Sequence, residues 1–434
     1  MKRAVAALMC LSMVLGACAS PGPSTDGSTP GRPDPAGIEL AALEVPRIAG
    51  AAMDAQSAGA AIDAFGLDLY RLVAAPEKNA VISPASIAIA LAMARAGARG
   101  TTAEQMDAVL RDLGSDEHAA WVSALDQALA ERSGTFKDAE GSDLDVALRI
   151  ANAPFAQRDF ALEQAFLEAL GGRFGAGLRL VDYKADPEAA RRAINAWVDA
   201  QTEERIPELL AAGDVDLLTR LVLVNAVYLK AAWLTPFAEE ATEDGPFTRP
   251  DGSTVDVPLM STGFEAPYAA GDGWQAVELP YVGGSLAMTI IVPDDLAAFV
   301  EALDADGLAA ITDELAPAHV DLVMPRFSIE TRTELGPVLT ALGMTDAFDP
   351  DRADFSGMTS EEQLYISAVV HQANIDVDED GTEAAAATAV VMRTTSLPAK
   401  QVELRVDRPF LFALRDVPTG TILFMGQVVD PSSD

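Results

Sequence analysis

Side chains that usually carry out catalytic chemistry are few in this chain, and they form no recognisable catalytic pattern. Both cysteines, Cys10 and Cys18, lie near the first residue, so the rest of the chain has no thiol nucleophile, disulfide or cysteine-based metal site. The stretch GGSLA lacks the final glycine of a nucleophile elbow, and no Ser-x-x-Lys sequence occurs. Three histidines also lack the spacing of metal ligands: His118, His319 and His371. The sequence therefore predicts no enzyme, no cofactor and no metal site.

Residues 376–400, DVDEDGTEAAAATAVVMRTTSLPAK, carry two conflicting signals. The alanine run favours a helix, but β-branched residues follow it and no amphipathic helical stripe fits. With the period of a β-strand, Glu383 and Arg393 share one face. The other face has uncharged, mostly small side chains: Thr382, Ala384, Ala386, Thr388, Val390 and Met392. This alternation is typical of a strand with one buried side, while an alanine-rich surface helix or linker remains the alternative.

The first residues have the order of an export signal. Lys2 and Arg3 precede an apolar run over residues 4–15, which is too short for a lasting membrane span, and small residues follow it. The sequence LGAC that ends at Cys18 resembles the bacterial lipobox, in which the cysteine becomes the new N-terminus and carries lipid. Residues 1–17 are therefore predicted to be a lipoprotein signal peptide. The alternative is an ordinary signal with an incidental cysteine.

The segment after Cys18 suits a tether between a lipid and a folded domain. Residues 19–37 are dominated by Pro, Gly, Ser and Thr, which cannot bury enough surface to fold. We predict a flexible linker over residues 18–55 and one folded domain over residues 56–434. The protein is then exported and anchored to the bacterial cell envelope. The absence of Asp after Cys18 favours the outer membrane or the cell surface by resemblance to known sorting rules.

The charge balance limits the possible partners. The chain has 30 Lys and Arg against 66 Asp and Glu, a formal net charge of −36 at pH 7. So acidic a surface repels phosphate backbones, which excludes nucleic acid as the expected partner. It also argues against a basic patch for heparin-like polyanions. We expect a monomer.

Periodic apolar patterns predict an α+β fold class. Helical stripes occur over residues 61–73, 86–98 and 187–202. Strand-like runs follow over residues 221–229, 287–292, 320–324, 410–414 and 422–428. The last two runs predict a hairpin across residues 416–420. Helices in the first half and mainly antiparallel strands later, without a second linker or a repeat, indicate a single domain of this class.

Several motifs then resemble one family in their order and spacing. They are NAVISPAS from residue 79, LVNAVYLK from 223, ELPY from 278, MPRF from 324, EDGTE followed by four alanines from 379, and DRPF from 407. Together they resemble the serpin family over nearly the whole body of the chain. The resemblance implies helices of the N-terminal half packed on large, mainly antiparallel sheets, with an exposed reactive loop at about residues 381–400.

The family resemblance also implies a mechanism. A serpin offers its reactive loop to a serine protease, is acylated at the scissile residue, and traps the enzyme by inserting the cleaved loop into its main sheet. Insertion requires a hinge whose buried face is small. The residues that match the family's hinge are Glu379, Gly381, Thr382, Glu383, Ala384, Ala385, Ala386 and Ala387. The alternative is a non-inhibitory serpin that acts as a surface binding protein or chaperone.

The position of the scissile bond follows from the hinge. Counting the family's usual fourteen residues from Thr382 places it between Thr395 and Ser396. Threonine there suits a serine protease with a small or shallow primary pocket, such as an elastase-like or subtilisin-like enzyme. Arg393, which implies a trypsin-like target and a shorter loop, and Met392 are the alternatives.

Two further sets of residues match sites that control opening of the main sheet in the family. Ser83, Ser86, Asn225 and His371 resemble the shutter, a buried polar network that is tolerable only when fully hydrogen-bonded. Trp233 resembles the tryptophan at the breach, where the loop begins to insert. The simpler interpretation of His371 and Trp233 is that both are ordinary core side chains.

Overall fold

The computed structural model describes residues 34–138, 141–383 and 401–433. Its helices are α1 (Ala52–Val73), α2 (Pro84–Arg95), α3 (Gly100–Leu110), α4 (Ala119–Ala130), α5 (Gln164–Phe174), α6 (Pro187–Gln201), α7 (Leu296–Ala302), α8 (Ala305–Asp313) and α9 (Gly336–Ala341). Short 3-10 turns occur at Glu239–Ala241 and Asp346–Phe348. No helix in the described ranges is long and apolar enough to cross a membrane.

The strands are distributed over the whole chain. They are β1 (Glu39–Ala41), β2 (Ala80–Ile82), β3 (Gly134–Lys137), β4 (Asp143–Gln157), β5 (Leu178–Val181), β6 (Leu221–Ala232), β7 (Glu243–Thr248), β8 (Thr254–Gly271), β9 (Trp274–Pro280), β10 (Leu286–Pro293), β11 (Ala316–Pro325), β12 (Phe327–Glu334), β13 (Ala368–Val377), β14 (Gly381–Thr382), β15 (Gln401–Arg405), β16 (Phe410–Asp416) and β17 (Ile422–Val428). They form two sheets.

The first sheet, here called the main sheet, has the order β1-β5-β4-β6-β14-β13-β12, with β3 attached to β4. Strands β6 and β13 pair with each other in parallel, from Ala368 opposite Val222 to Gln372 opposite Ala226. Further along, the short strand β14 lies between them and is antiparallel to both. The main sheet therefore has a seam between β6 and β13 that already holds one extra strand at one end.

The second sheet has the order β15-β11-β8-β9-β10-β16-β17-β2, with β7 attached to β8. The predicted hairpin is present, because β16 pairs with β17 in antiparallel register from Phe410 opposite Val428. Most pairs in both sheets are antiparallel. The parallel pairs among the described strands are β4 with β5, β6 with β13, and β11 with β15.

Helix α2 forms the centre of the core between the two sheets. Every residue from Pro84 to Ala94 is buried, and the helix contacts β4 and β6 of the main sheet and β17 of the second. A helix that is apolar all round is stable only when it is buried on all sides. Its start is fixed by Pro84 in the first turn and by Ser83, whose side chain accepts a hydrogen bond from the Ser86 amide.

The predicted α+β class is confirmed, but some boundaries differ. Helix α1 begins nine residues before the predicted stripe, because small residues such as Ala55 and Gly59 make its buried face there and give no strong periodic signal. A Cβ on Gly59 would lie 2.6 Å from Thr421 Oγ1, so the helix packs there by close approach. Helix α2 ends three residues earlier than predicted.

One domain boundary predicted from the sequence is wrong, and one long strand was missed. The predicted linker over residues 18–55 extends too far, because β1 pairs with β5 at the edge of the main sheet and Ile48 donates its amide to Gly172. The folded body thus begins near residue 38, where Ile38 packs against the core. The long strand β4 was not predicted, because several Ala residues and Pro154 dilute its β-branched character.

Candidate functional site in the main sheet

The turn between β13 and β14 is held by one aspartate. The Asp378 carboxylate accepts hydrogen bonds from the amides of Asp380 and Gly381, at 3.0 and 3.1 Å, and the Asp378 amide donates to the Gly381 carbonyl. An aspartate that binds the backbone two and three residues ahead is a common device for a tight turn. This turn directs residues 381–382 back between β6 and β13.

Gly381 is the residue that allows this return. Its φ is +154°, and a Cβ there would lie 2.2 Å from the Ala231 carbonyl oxygen and 2.8 Å from the Ala232 Cα atom of β6. Those atoms belong to the backbone of a central strand and cannot move aside as a side chain could. Glycine is therefore required for β14 to pair with β6.

Thr382 occupies the buried side of β14. Only 2% of its surface is exposed, and its hydroxyl lies 2.6 Å from the Tyr281 hydroxyl. Tyr281 in turn stacks on Trp233, with ring centroids 4.4 Å apart and planes inclined by 15°. The Trp233 indole NH donates to the Asp378 carbonyl at 3.0 Å. The predicted breach tryptophan thus lies beneath the hinge and holds its turn.

Glu379 ties the same turn to the neighbouring strands. Its carboxylate accepts from Arg326 Nε at 2.8 Å and from the Thr242 hydroxyl, and its carbonyl accepts from the Phe237 amide at 2.9 Å. Burial alone would raise the pKa of Glu379, but the Arg326 guanidinium and the Thr242 hydroxyl outweigh it and lower that pKa. The carboxylate is therefore charged and anchored at neutral pH.

The four predicted shutter residues lie together at the centre of the main sheet. His371 of β13 bonds to the Asn225 side-chain oxygen of β6 through Nδ1, and its Nε2 accepts from the Ser83 amide at 3.1 Å. Ser86 Oγ and Asn225 Nδ2 both donate to Asn152 Oδ1 of β4, at 2.8 and 3.0 Å. The network links helix α2 to three neighbouring strands.

Asn152 is a member of this network that the sequence analysis missed. Its side-chain oxygen is the acceptor that joins Ser86 to Asn225. A lone asparagine within the apolar run of β4 is a signal that could have indicated it, because buried amides are costly unless hydrogen-bonded. The prediction failed because β4 itself was not recognised.

The hydrogen bonds fix the protonation state of His371. Since Nε2 accepts from a backbone amide, Nδ1 must carry the proton that is donated to Asn225. Complete burial lowers the pKa of His371 from 6.5 to about 3. The imidazole is therefore neutral in the folded protein over the whole physiological range.

Comparisons with known proteins agree with this arrangement. A family model described as Serpin (serine protease inhibitor) matches residues 60–431. The chain belongs to the serpin family. Curated serpins with similar sequences include plasminogen activator inhibitor 1 of Sus scrofa, which is 37% identical over 85% of this chain and 91% of its own length. Leukocyte elastase inhibitor of Bos taurus is also 37% identical, over 85% of this chain and 97% of its own length.

Solved serpin structures confirm the predicted fold. The thermophilic serpin tengpin in its native state superimposes with a TM-score of 0.79 and 25% identity, and covers 90% of this chain and 100% of its own. A tumour-suppressing serpin gives a TM-score of 0.76 at 25% identity, over 87% of this chain and 100% of its own. Among the curated sequences, an uncharacterized serpin-like protein of Thermococcus kodakarensis is 40% identical over 86% of this chain and 85% of its own length.

The remaining predicted site residues of this serpin fall outside the described ranges. They are the lipidation site Cys18, the hinge residues Ala384, Ala385, Ala386 and Ala387, and the reactive-bond candidates Met392, Arg393, Thr395 and Ser396. Glu379, Gly381, Thr382 and Glu383 are described and lie at the end of the seam. Within the described ranges, no group of three or more His, Cys, Asp or Glu side chains is arranged to hold a metal ion.

Proposed function

We propose that this serpin inhibits serine proteases as a suicide substrate. The protease serine attacks the carbonyl carbon at the scissile bond, an ester to the enzyme forms, and the new amino terminus leaves. The freed loop then enters the seam between β6 and β13 as a full strand and carries the enzyme with it before water can hydrolyse the ester. The family membership and the names of its inhibitory relatives support this function.

One structural observation carries the proposal. Gly381 and Thr382 already pair with β6 on one side, and Thr382 pairs with β13 on the other. The chain that follows them therefore starts in register with both strands of the seam. A full insertion would add hydrogen bonds along both edges and bury the small face of the loop. These two contributions supply the free energy that drives β-strand addition.

We place the scissile bond between Thr395 and Ser396, with Arg393 and Met392 as the alternatives. In the sequence, the same alternation puts small alanine side chains on the face that Thr382 buries. A threonine at the cleavage site suits an elastase-like or subtilisin-like protease. The similarity to leukocyte elastase inhibitor supports the first of these classes.

Incubation with elastase and with subtilisin should test this function directly. We expect a covalent complex that survives SDS, and mass spectrometry of the released peptide should locate the cut between Thr395 and Ser396. Loop-cleaved protein should melt at a much higher temperature than the intact protein. Cleavage by every serine protease tried, with no complex formed, would instead favour a non-inhibitory serpin.

We also propose that the mature protein is lipid-anchored at Cys18 on the outside of the bacterial envelope, with the segment before β1 as a tether. The export signal and the lipobox-like LGAC support this location. The full-length protein made in a bacterium should partition with membranes and the detergent phase. The variant Cys18→Ser should lose that partition while its folded domain keeps the wild-type melting temperature.

A further inference from the structure

Left-handed backbone occurs where the hinge leaves the main sheet and in one segment that it contacts. Glu383, the residue after β14, has a φ of +51°, and so does Glu203 in the segment after α6. Its neighbour Glu204 has a φ of +67°. Left-handed backbone at a residue other than glycine is uncommon, and such strain is often found at functional sites. The two strained segments are in contact with each other.

The contact is made by Arg205, which directly follows Glu203 and Glu204 in the chain. Its Nε lies 2.8 Å from the Glu383 carboxylate, and its Nη2 lies 3.0 Å from the Asp376 carboxylate of β13. The Asn374 side chain donates to the Arg205 carbonyl at 3.3 Å, which ties this segment to β13. One guanidinium thus bridges a carboxylate of the hinge and a carboxylate of the seam.

The register explains why the two carboxylates meet. Thr382 pairs with Val377, and the Glu383 amide donates to the Asp376 carbonyl at 3.2 Å, so Glu383 stands beside Asp376. The Glu383 side chain is only 7% exposed. Burial raises the pKa of Glu383 and Asp376 adds to that effect, while Arg205 opposes both. Without Arg205, two acidic groups would face each other at the end of the seam.

We infer that Arg205 is a positioning residue for loop insertion, which neutralises Glu383 and Asp376 at the end of the seam and so holds the start of the loop in the main sheet while the rest of the loop enters. The inference rests on the proposed inhibitory function and deepens it. Thr382 presents an uncharged side chain to the core, whereas Glu383 already stands next to Asp376 on the opposite face and must stay there during insertion. Arg205 removes the repulsion between these two carboxylates, which would otherwise push the start of the loop out of register.

Arg205→Gln should test the inference, because it keeps a long polar side chain but removes the charge. We expect the number of inhibitor molecules consumed per trapped protease to rise about fivefold, while the rate of the first encounter with protease stays unchanged. The loss is partial, because the Tyr228 hydroxyl also hydrogen-bonds to the Glu383 carboxylate and lowers the pKa of Glu383. Arg205→Lys should restore most of the trapping.

The double variant Arg205→Gln with Glu383→Gln distinguishes neutralisation from a general structural role. Removing the carboxylate removes the repulsion, so trapping should return towards the wild-type level. A matched control is Arg192→Gln, which alters the net charge equally but pairs with Glu188 on α6. If Arg205→Gln traps protease as well as the wild type, or inserts its loop faster, the inference is wrong. If the double variant is no better than Arg205→Gln, it is wrong also.

A second measurement keeps this inference separate from the proposed function. The loop can be cut by a protease that is not trapped, and the rate at which the cut protein acquires its higher melting temperature measures insertion alone. Arg205→Gln should slow this rate, and the double variant should restore it. A wild type that inserts its cut loop but never traps a serine protease would refute the proposed function, and the same rates would still decide the role of Arg205.

Discussion

The variant Thr382→Arg should be cleaved by its target protease without trapping it. The Thr382 side chain is buried in the main sheet against the Tyr281 hydroxyl, and in the proposed mechanism the rest of the loop inserts behind it. An arginine there would bury a charge without a partner, which costs several kcal/mol. We take about 3 kcal/mol as the barrier added to insertion, since a long side chain can partly reach solvent.

In the proposed mechanism, trapping depends on a competition between insertion and hydrolysis of the acyl-enzyme, so the added barrier acts directly on its outcome. About 3 kcal/mol slows insertion roughly a hundredfold, and hydrolysis then wins. Gel analysis of a protease titration should show cleaved inhibitor and free, active enzyme in place of the complex. Thr382→Ser, which keeps the hydroxyl that meets Tyr281, is the matched control and should trap normally. Complex formation by Thr382→Arg at the wild-type level would contradict the insertion mechanism.

The parts of this site that sequence could predict are those encoded locally. The period-two alternation assigns Thr382 to the buried face and Glu383 to the other; the structure places Thr382 in the core, but the Glu383 side chain on the opposite face is covered as well and not exposed to solvent. The requirement for glycine at position 381 follows from the family motif, and the short distance to the Ala231 carbonyl gives its physical reason. Short-range patterns of this kind depend only on neighbouring residues, so they can be interpreted without the fold.

The contacts that sequence could not predict join residues far apart in the chain. Arg205 meets Glu383 across the main sheet, Arg326 and Thr242 meet at Glu379, and Asn152 completes the shutter. None of these side chains stands out by type or spacing, because an acidic protein with many arginine–carboxylate pairs offers numerous possible partners. Only the register of β6, β13 and β14 selects the actual pairs.

The shutter shows what a family resemblance adds to the residues and their spacing. It supplied Ser83, Ser86, Asn225 and His371 as a set, although their order in the chain gives no reason to group them. It did not supply the direction of each hydrogen bond. That direction comes from the geometry, which makes Nε2 of His371 an acceptor and therefore makes a charged imidazole incompatible with the closed seam.

Replacing His371 with glutamine should remove a pH-dependent loss of stability from the protein. The pKa of His371 is about 3 when folded and 6.5 as a free side chain, so the unfolded chain binds the extra proton between these values. The contribution of His371 is fully present above pH 6.5 and is lost as the pH falls towards 3. Between pH 6.5 and 4.5 the loss amounts to about 2 kcal/mol in the free energy of unfolding.

Glutamine is the informative substitution, because its amide can donate to Asn225 and accept from the Ser83 amide but cannot be protonated in this range. Other groups titrate too; burial raises the pKa of Asp63 to about 7, which adds stability as the pH falls through that value. Such effects are common to both proteins and cancel in the difference between them. Urea midpoints of wild type and His371→Gln, measured from pH 7.5 to 4.5, should therefore converge or cross as the pH falls.

The control is His118→Gln, which replaces a histidine that lies outside the main sheet before α4 and contacts Ser115 and Trp121. Its urea midpoints over the same pH range give the effect of a histidine-to-glutamine change made away from the shutter. Parallel pH profiles for wild type and His371→Gln would show that protonation of His371 does not change the free energy of unfolding in this range. Converging profiles would mean that the folded protein keeps His371 neutral while the unfolded chain binds the proton, as expected for an imidazole whose Nε2 must accept from the Ser83 amide.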